Sequence, residues 1–349
     1  MLILGIETSC DETSAAVVEE TGDVSKPWAV RSNIVASQVA IHREWGGVVP
    51  ELASRQHIRD ICGVVERSLD QAKATWSDLG AVAVTQGPGL VGSLLVGVSF
   101  AKSAAAAAGL PLVAVHHLAG HIESLVLQNG ELPLPAIVLV VSGGHTSLYL
   151  VETPGHYELL SRTRDDAAGE AYDKVAKLLG LGYPGGPVID RLARTGNDRA
   201  VPLPTTRLTH ADRNAPELKG DLDFSFSGLK TAVLRHVRKE REGSPSDREI
   251  ADICASFQRV VVTGLLDRLF DAARRYQAKS VGVAGGVSAN SRLRAELAER
   301  GARREMPTFL PSLALSTDNA AMIAAAGLRK FRAGMTASMD LNADAALVL

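Results

Sequence analysis

Aromatic side chains are scarce, at 4% of 349 residues, and none of them forms an RRM-like motif. Cysteine is scarcer still. Cys10, Cys62 and Cys254 stand far apart with no CxxC spacing, which argues against a disulfide framework or a thiolate zinc knuckle and fits a reducing compartment. Neither charge dominates: 37 Lys and Arg face 39 Asp and Glu, a net charge of −2, so any nucleic acid must be gripped by a local patch. Long hydrophobic runs are missing, because AIVLVV is short and SAAAAAGLPLVAV is broken by Gly and Pro. No transmembrane helix and no membrane association are expected. The opening MLILGIETSCDE has no basic region ahead of an apolar stretch and does not read as a signal peptide, so a cytoplasmic location is expected. GxxxxGK[ST] is absent, GxGxxG does not follow the first strand, and HExxH is absent, which disfavours a P-loop protein, a dinucleotide fold and a zinc protease.

What the chain does have is glycine, 32 residues of it, and enough length for two cores at roughly 150 residues per domain. LILGI, a polar turn ETSCDET and SAAVVE read as strand, turn, strand. AIVLVVSGGHTSLYLVE repeats that pattern about 130 residues later. Helical spacing follows at 51–74, 91–108, 167–179, 226–241 and 249–276, with a last helix after STDN for which Ser316 or Thr317 is the expected N-cap. The class is α/β with duplicated lobes. The first is expected at 1–130, the second at 131–318 with a loop or insertion near 194–223, and 319–349 is expected to pack back on the first.

Chemistry-bearing residues fall in a few places. HHLAGHIES puts His117 and His121 one helical turn apart, which is sound ligand geometry but supplies only two ligands. Asp318 is the best remote third ligand, and a structural histidine pair remains the alternative. Asp11 and Glu12 pair in the first turn, either to hold a metal, to orient a reacting group, or as a solvated hairpin. In SGGHT, Ser142, Gly143 and Gly144 can cradle a phosphate. YPGGP sets Gly185 and Gly186 ahead of Asp190, a carboxylate able to accept from a ribose hydroxyl, and AGGVSAN offers Asn290 at a helix start. Asp173, one turn beyond Glu170, is placed to face a ligand. RHVRKER (235–241), with Arg274, Arg275 and Lys279, is the candidate basic patch.

Taken together, GIETSCDET (5–13), GGVVPELASRQH (46–57), TQGPGLVGSL (85–94), HHLAGH (116–121), VVSGGHT (140–146), DDAAGEAYDKVAKLLGLGYPGGP (165–187), FSFSGLKT (224–231), AGGVSAN (284–290) and STDNAAMIA (316–324) resemble, almost end to end, the tRNA threonylcarbamoyladenosine synthesis family (TsaD, Kae1, Gcp or YgjD), in its bacterial form. The resemblance implies a two-lobed actin-like ATPase fold of the acetate kinase, sugar kinase and Hsp70 (ASKHA) superfamily. It implies transfer of L-threonylcarbamoyl from threonylcarbamoyl-AMP to N6 of adenosine 37 in tRNAs reading ANN codons, with release of AMP. It places metal ligands on His117, His121 and Asp318, with iron (Fe2+) favoured and zinc or magnesium possible. It places contacts to the nucleotide intermediate on Val140, Val141, Ser142, Gly143, Gly144, Asp173, Gly186, Asp190 and Asn290. The partners it implies are tRNA, the paralogue TsaB and the ATPase TsaE. Asp11 and Glu12 are the expected catalytic pair. Ala119 departs from the frequent acidic residue of HHxEGH, for which a change in tuning of the ligands is expected. Rival readings are a small-molecule kinase of the same superfamily and a non-catalytic actin-like ATPase scaffold.

Overall fold

The computed structural model describes residues 1–206, 208, 212, 218, 220–239 and 245–349. Parts of the expected loop at 194–223, and residues 240 and 241 of the basic segment, lie outside these.

Two units divide the chain. The first comprises Met1–Leu132, Pro154–Tyr157 and Pro311–Leu349, the second Pro133–Thr153 and Glu158–Leu310. The last return to the first unit begins at Pro311. That places Asp318 in the same unit as His117 and His121.

In the first unit, β1 (Leu2–Glu7), β2 (Glu12–Glu20), β3 (Trp28–Ser37), α1 (Val39–Arg43), α2 (Pro50–Ala72), β4 (Leu79–Gly87), α3 (Val91–Ala108), β5 (Leu112–His116) and α4 (His117–Asn129) follow in order. The sheet order is β3-β2-β1-β4-β5, antiparallel from β1 to β3 and parallel from β1 to β5. Ile3, Leu4 and Ile6 are all buried, so β1 is covered on both faces and reads as an unbroken apolar run. α2 and α3 cover one face with Ile61, Val64, Val65, Val98 and Ala101. By length and composition α3 could cross a membrane, but Leu94, Val98, Ala101 and Ala105 are buried as a layer helix buries them. Gly109, at φ 65°, ends it as the glycine-proline punctuation predicts.

The second unit repeats this plan with β6 (Ala136–Val141), β7 (Thr146–Thr153), β8 (His156–Arg162), α5 (Ala168–Leu178), α6 (Gly185–Ala193), α7 (Ser227–Lys239), α8 (Asp247–Arg275), β9 (Ser280–Ala284), α9 (Ser291–Ala302) and β10 (Thr308–Phe309). Its sheet runs β10-β9-β6-β7-β8. Renumbered within the unit, that is the first sheet's order, so the duplication read from the two strand-turn-strand patterns is a duplication of topology. α8, capped by a reciprocal Ser246–Glu249 box, carries Phe257, Val261, Leu265 and Leu269 into this core.

Back in the first unit, α10 (Leu313–Ser316) and α11 (Ala320–Arg332) close the chain's last layer. The N-cap of α11 is Asn319, whose side chain accepts from Met322 N–H, and not Ser316 or Thr317: Ser316 ends α10, and the turn is displaced toward Asn319. Ala320, Ala321, Ala324, Ala325 and Gly327 in α11 are small because this helix presses onto the sheet. A Cβ on Gly5 of β1 would lie 2.7 Å from Ala324 N.

Candidate functional site

The β1–β2 turn, TSCD, is tied on several sides. Leu90 N–H donates to Ser9 C=O, His57 Nε2 lies 2.9 Å from Cys10 C=O, and Gln38 N–H donates to Asp11 C=O. Thr8 Oγ1 donates to Ser93 C=O in α3. Gly89 lets the QGPG turn sit against this loop, since a Cβ there would lie 2.8 Å from Ser9 Cβ. The loop's backbone is therefore fixed. Burial, then Asp11 and Asp318, push the Glu12 carboxyl well above the ordinary carboxylate range. Asp11 is buried, and Ser37 Oγ donates to Glu12 Oε1 at 3.2 Å.

His117 opens α4, and His121 follows one turn later on the same face. His116, the N-cap, accepts Leu118 N–H through Nδ1, while its Nε2 lies 3.1 Å from Leu347 C=O. That double engagement removes it from the ligand set. Gly120 lets α4 approach α11, because a Cβ would lie 2.8 Å from Ile323 Cδ1. Ala119 is 6% exposed, a core position of the helix. The turn before α11 delivers Asp318, whose Oδ1 lies 3.6 Å from His117 Nε2 and 3.2 Å from His121 Nε2. The three ligand atoms lie within 4.8 Å of one another.

These residues fit a metal ion. Among the described residues, neither ring nitrogen of fully buried His121 finds a hydrogen-bond partner, although Nε2 sits beside a carboxylate. Two imidazole nitrogens and a carboxylate oxygen converge, and a divalent cation satisfies all three. Burial holds the His121 imidazole below its usual value. For His117, burial pulls downward, but Asp318 and Glu7 outweigh it and raise the ring to about 9. The sequence reading missed Glu7. It is fully buried at the end of β1, 3.0 Å from His117 Nδ1. Burial raises its carboxyl, but His117 outweighs that and holds it below the usual range.

The remaining candidates lie in the second unit. Val140 and Val141 end β6, and Ser142 N–H donates to His145 C=O, forming the tight turn that SGGHT predicts. Gly143 and Gly144 are exposed, with open space where a Cβ would stand. Gly169 packs under them, its Cβ position 2.6 Å from Ser142 C=O and 2.8 Å from Gly143 Cα. Gly285, at φ +91°, lets the AGG turn meet Val141.

The polar side chains of this unit hold loops in place. Asp173 Oδ1 accepts Gly185 N–H at the start of α6, a stretch the glycines and prolines had suggested was only a turn. Asp190 Oδ1 accepts from Ser291 N–H and Oγ. Asn290 caps α9 through Leu293 N–H and donates to Gln258. Gly186 faces open space. Of the candidate basic residues, Arg275 is ion-paired with Asp221 at 2.6 Å and Arg274 with Asp271 at 3.3 Å.

A family profile described as tRNA N6-adenosine threonylcarbamoyltransferase matches residues 29–325. Proteins of that name from Anaeromyxobacter sp. (strain Fw109-5) and Moorella thermoacetica are 52% and 51% identical to this chain. The first match covers 99% of both chains, the second 98% of this chain and 95% of the relative. The chain belongs to this family. The threonylcarbamoyltransferase fold is shared more distantly. Full-length HypF in its phosphate- and nucleotide-bound form aligns at TM-score 0.59 and 14% identity, over 95% of this chain and 55% of HypF. Component A of (R)-2-hydroxyglutaryl-CoA dehydratase from Acidaminococcus fermentans aligns at TM-score 0.52 and 16% identity, over 96% and 100%. The fold is the two-lobed actin-like ATPase fold that the sequence resemblance implied. The threonylcarbamoyltransferase acts on tRNA, forming N6-threonylcarbamoyladenosine, and membership decides against the small-molecule kinase and the non-catalytic scaffold.

Proposed function

We propose that the acyl donor is threonylcarbamoyl-AMP and the acceptor is N6 of adenosine 37 in tRNAs reading ANN codons. The observation that supports a metal-assisted version is the convergence of His117, His121 and Asp318. These residues would hold one divalent ion, iron (Fe2+) by preference, with zinc or magnesium as alternatives. Bound there, it would supply a Lewis acid toward phosphate or carbamoyl oxygen.

The rest of the chemistry falls to the chain. The adenine amine is a weak nucleophile, while the carbamoyl–phosphate anhydride is already activated, so positioning and charge stabilisation dominate. The N6–carbamoyl bond forms, the carbamoyl–phosphate bond breaks, and AMP leaves with the bonding pair. Glu12, with Asp11 beside it, takes up the N6 proton at the tied β1–β2 turn. The backbone at Val140, Val141, Ser142, Gly143 and Gly144 receives phosphate oxygens, because the two exposed glycines leave room for close approach. Gly186 admits the adenosine. Asp173, Asp190 and Asn290 form the frame of that subsite, their side chains holding the loops that line it. TsaB and TsaE are the proposed protein partners, and the cytoplasm is the proposed location.

The test supplies purified protein, TsaB and TsaE with unmodified tRNA and threonylcarbamoyl-AMP, and measures threonylcarbamoyladenosine and AMP in equal amounts. AMP release without tRNA modification would refute the assignment of the donor.

A further inference from the structure

We propose that Glu7 is a positioning residue for His117, its buried carboxylate accepting the hydrogen bond from Nδ1–H and thereby aiming Nε2 at the point where Asp318 and His121 converge. The inference rests on the metal reading of that triad.

The Glu7 carboxylate is wholly buried and meets three donors. Ser9 N–H donates to Oε1, while Thr85 Oγ1 and His117 Nδ1 meet Oε2 at 2.8 and 3.0 Å. A carboxylate offers only acceptor sites, and a neutral imidazole carries one ring proton. Facing that acceptor, Nδ1 carries a proton whatever the charge of the ring, and Nε2, 3.6 Å from Asp318, is the nitrogen left for a cation. Ser9 Oγ, 3.2 Å from the same Nδ1, flanks the ring on that side and does not reach Nε2. Carboxylate, imidazole and ligand site thus lie in series, the arrangement that fixes tautomer and ring orientation in metal-binding histidines.

His121 supplies the internal contrast, since among the described residues neither of its nitrogens is hydrogen-bonded. Of the two rings, only His117 is held from behind.

The competing explanation is that Glu7 only anchors the turn through Ser9 and Thr85. Zinc affinity, measured by competition with a chromophoric chelator, separates the two for the unsubstituted protein, Glu7→Gln and Thr85→Val. Glu7→Gln keeps the shape but loses the anion, and is expected to weaken zinc binding by about 10- to 100-fold. Thr85→Val removes an anchor without touching the ring, and is expected to lower the melting temperature while leaving zinc affinity close to that of the unsubstituted protein. Equal affinities for Glu7→Gln and the unsubstituted protein, or equal losses in both variants, would overturn the proposal. If the unsubstituted protein takes up no stoichiometric zinc, the metal reading itself fails. Should Glu7→Gln not fold, the His117 Nδ1–H proton of the zinc-loaded protein decides: a strongly downfield, exchange-protected resonance supports a hydrogen bond to the Glu7 carboxylate, and a rapidly exchanging one overturns the proposal.

Discussion

The β1–β2 turn and the β6–β7 turn occupy the same topological place in two sheets of identical strand order, yet their chemistry is opposite. The first is filled with side chains: Glu7, Ser9, Asp11 and Glu12 crowd a turn whose backbone carbonyls are bound by three neighbouring elements. The second is stripped of them, and Gly143 and Gly144 expose backbone to open space. A duplicated frame thus carries ionisable groups in one copy and exposed glycine backbone in the other. The fold fixes where a turn emerges, and a handful of residues fix what it can bind.

Removing charge from the first turn's surroundings should have the largest effect. His117→Ala and Asp318→Ala are each expected to abolish stoichiometric metal binding and tRNA modification, read by metal analysis and by nucleoside chromatography. A chelator that strips the metal should reproduce the loss, with recovery on adding Fe2+ or Zn2+. In the second unit the contrast between glycines is the sharper test. Gly169→Ala forces a Cβ against Ser142 and Gly143 and should cost about 1–3 kcal/mol in denaturant unfolding, as overpacking does. Gly143→Ala meets nothing and should leave stability unchanged while weakening adenylate binding in calorimetry. Asp173→Ala removes the acceptor for Gly185 N–H and should cost about 1 kcal/mol, the worth of a helix cap.

A further effect concerns pH. Burial lowers the His116 ring to about 4, against 6.5 in the unfolded chain. Below 6.5 the unfolded chain binds a proton that the folded chain does not. The contribution is therefore present above pH 6.5 and is lost as pH falls through about 4. His116→Gln should flatten that part of the stability profile, measured by urea unfolding across pH 4–7.

Much of this was readable from residue order where the cause is local. Gly109 ends α3, and His117 and His121 share a helical face, because both facts depend on neighbours within a turn. Glu7 escaped because its partner lies 110 positions along the chain and the acid itself sits in an apolar strand. The hydrogen bond from Gly185 N–H to Asp173 was not legible, because periodicity gives the position of Asp173 on its helix but not what a loop 12 residues on brings to it. α6 read as a turn because Gly185, Gly186 and Pro187 are breakers in a helix interior, yet a first turn tolerates proline, whose missing N–H is not needed there.

The last stretch of the chain carries almost no periodic signal, and its contacts explain why. Asp344 N–H donates to Gln86 C=O, Ala345 C=O accepts from Gly89 N–H, and Leu347 C=O faces His116 Nε2. Each of these uses the main chain of the tail. These three contacts therefore depend on the peptide path and not on which side chains it carries, although Asp344 Oδ1 also accepts Ala346 N–H and Ala343 packs against the core. A proline at 344, which deletes the donor to Gln86 C=O, would be felt beside the histidine helix, where an alanine keeps that donor and loses only the side-chain bond to Ala346 N–H.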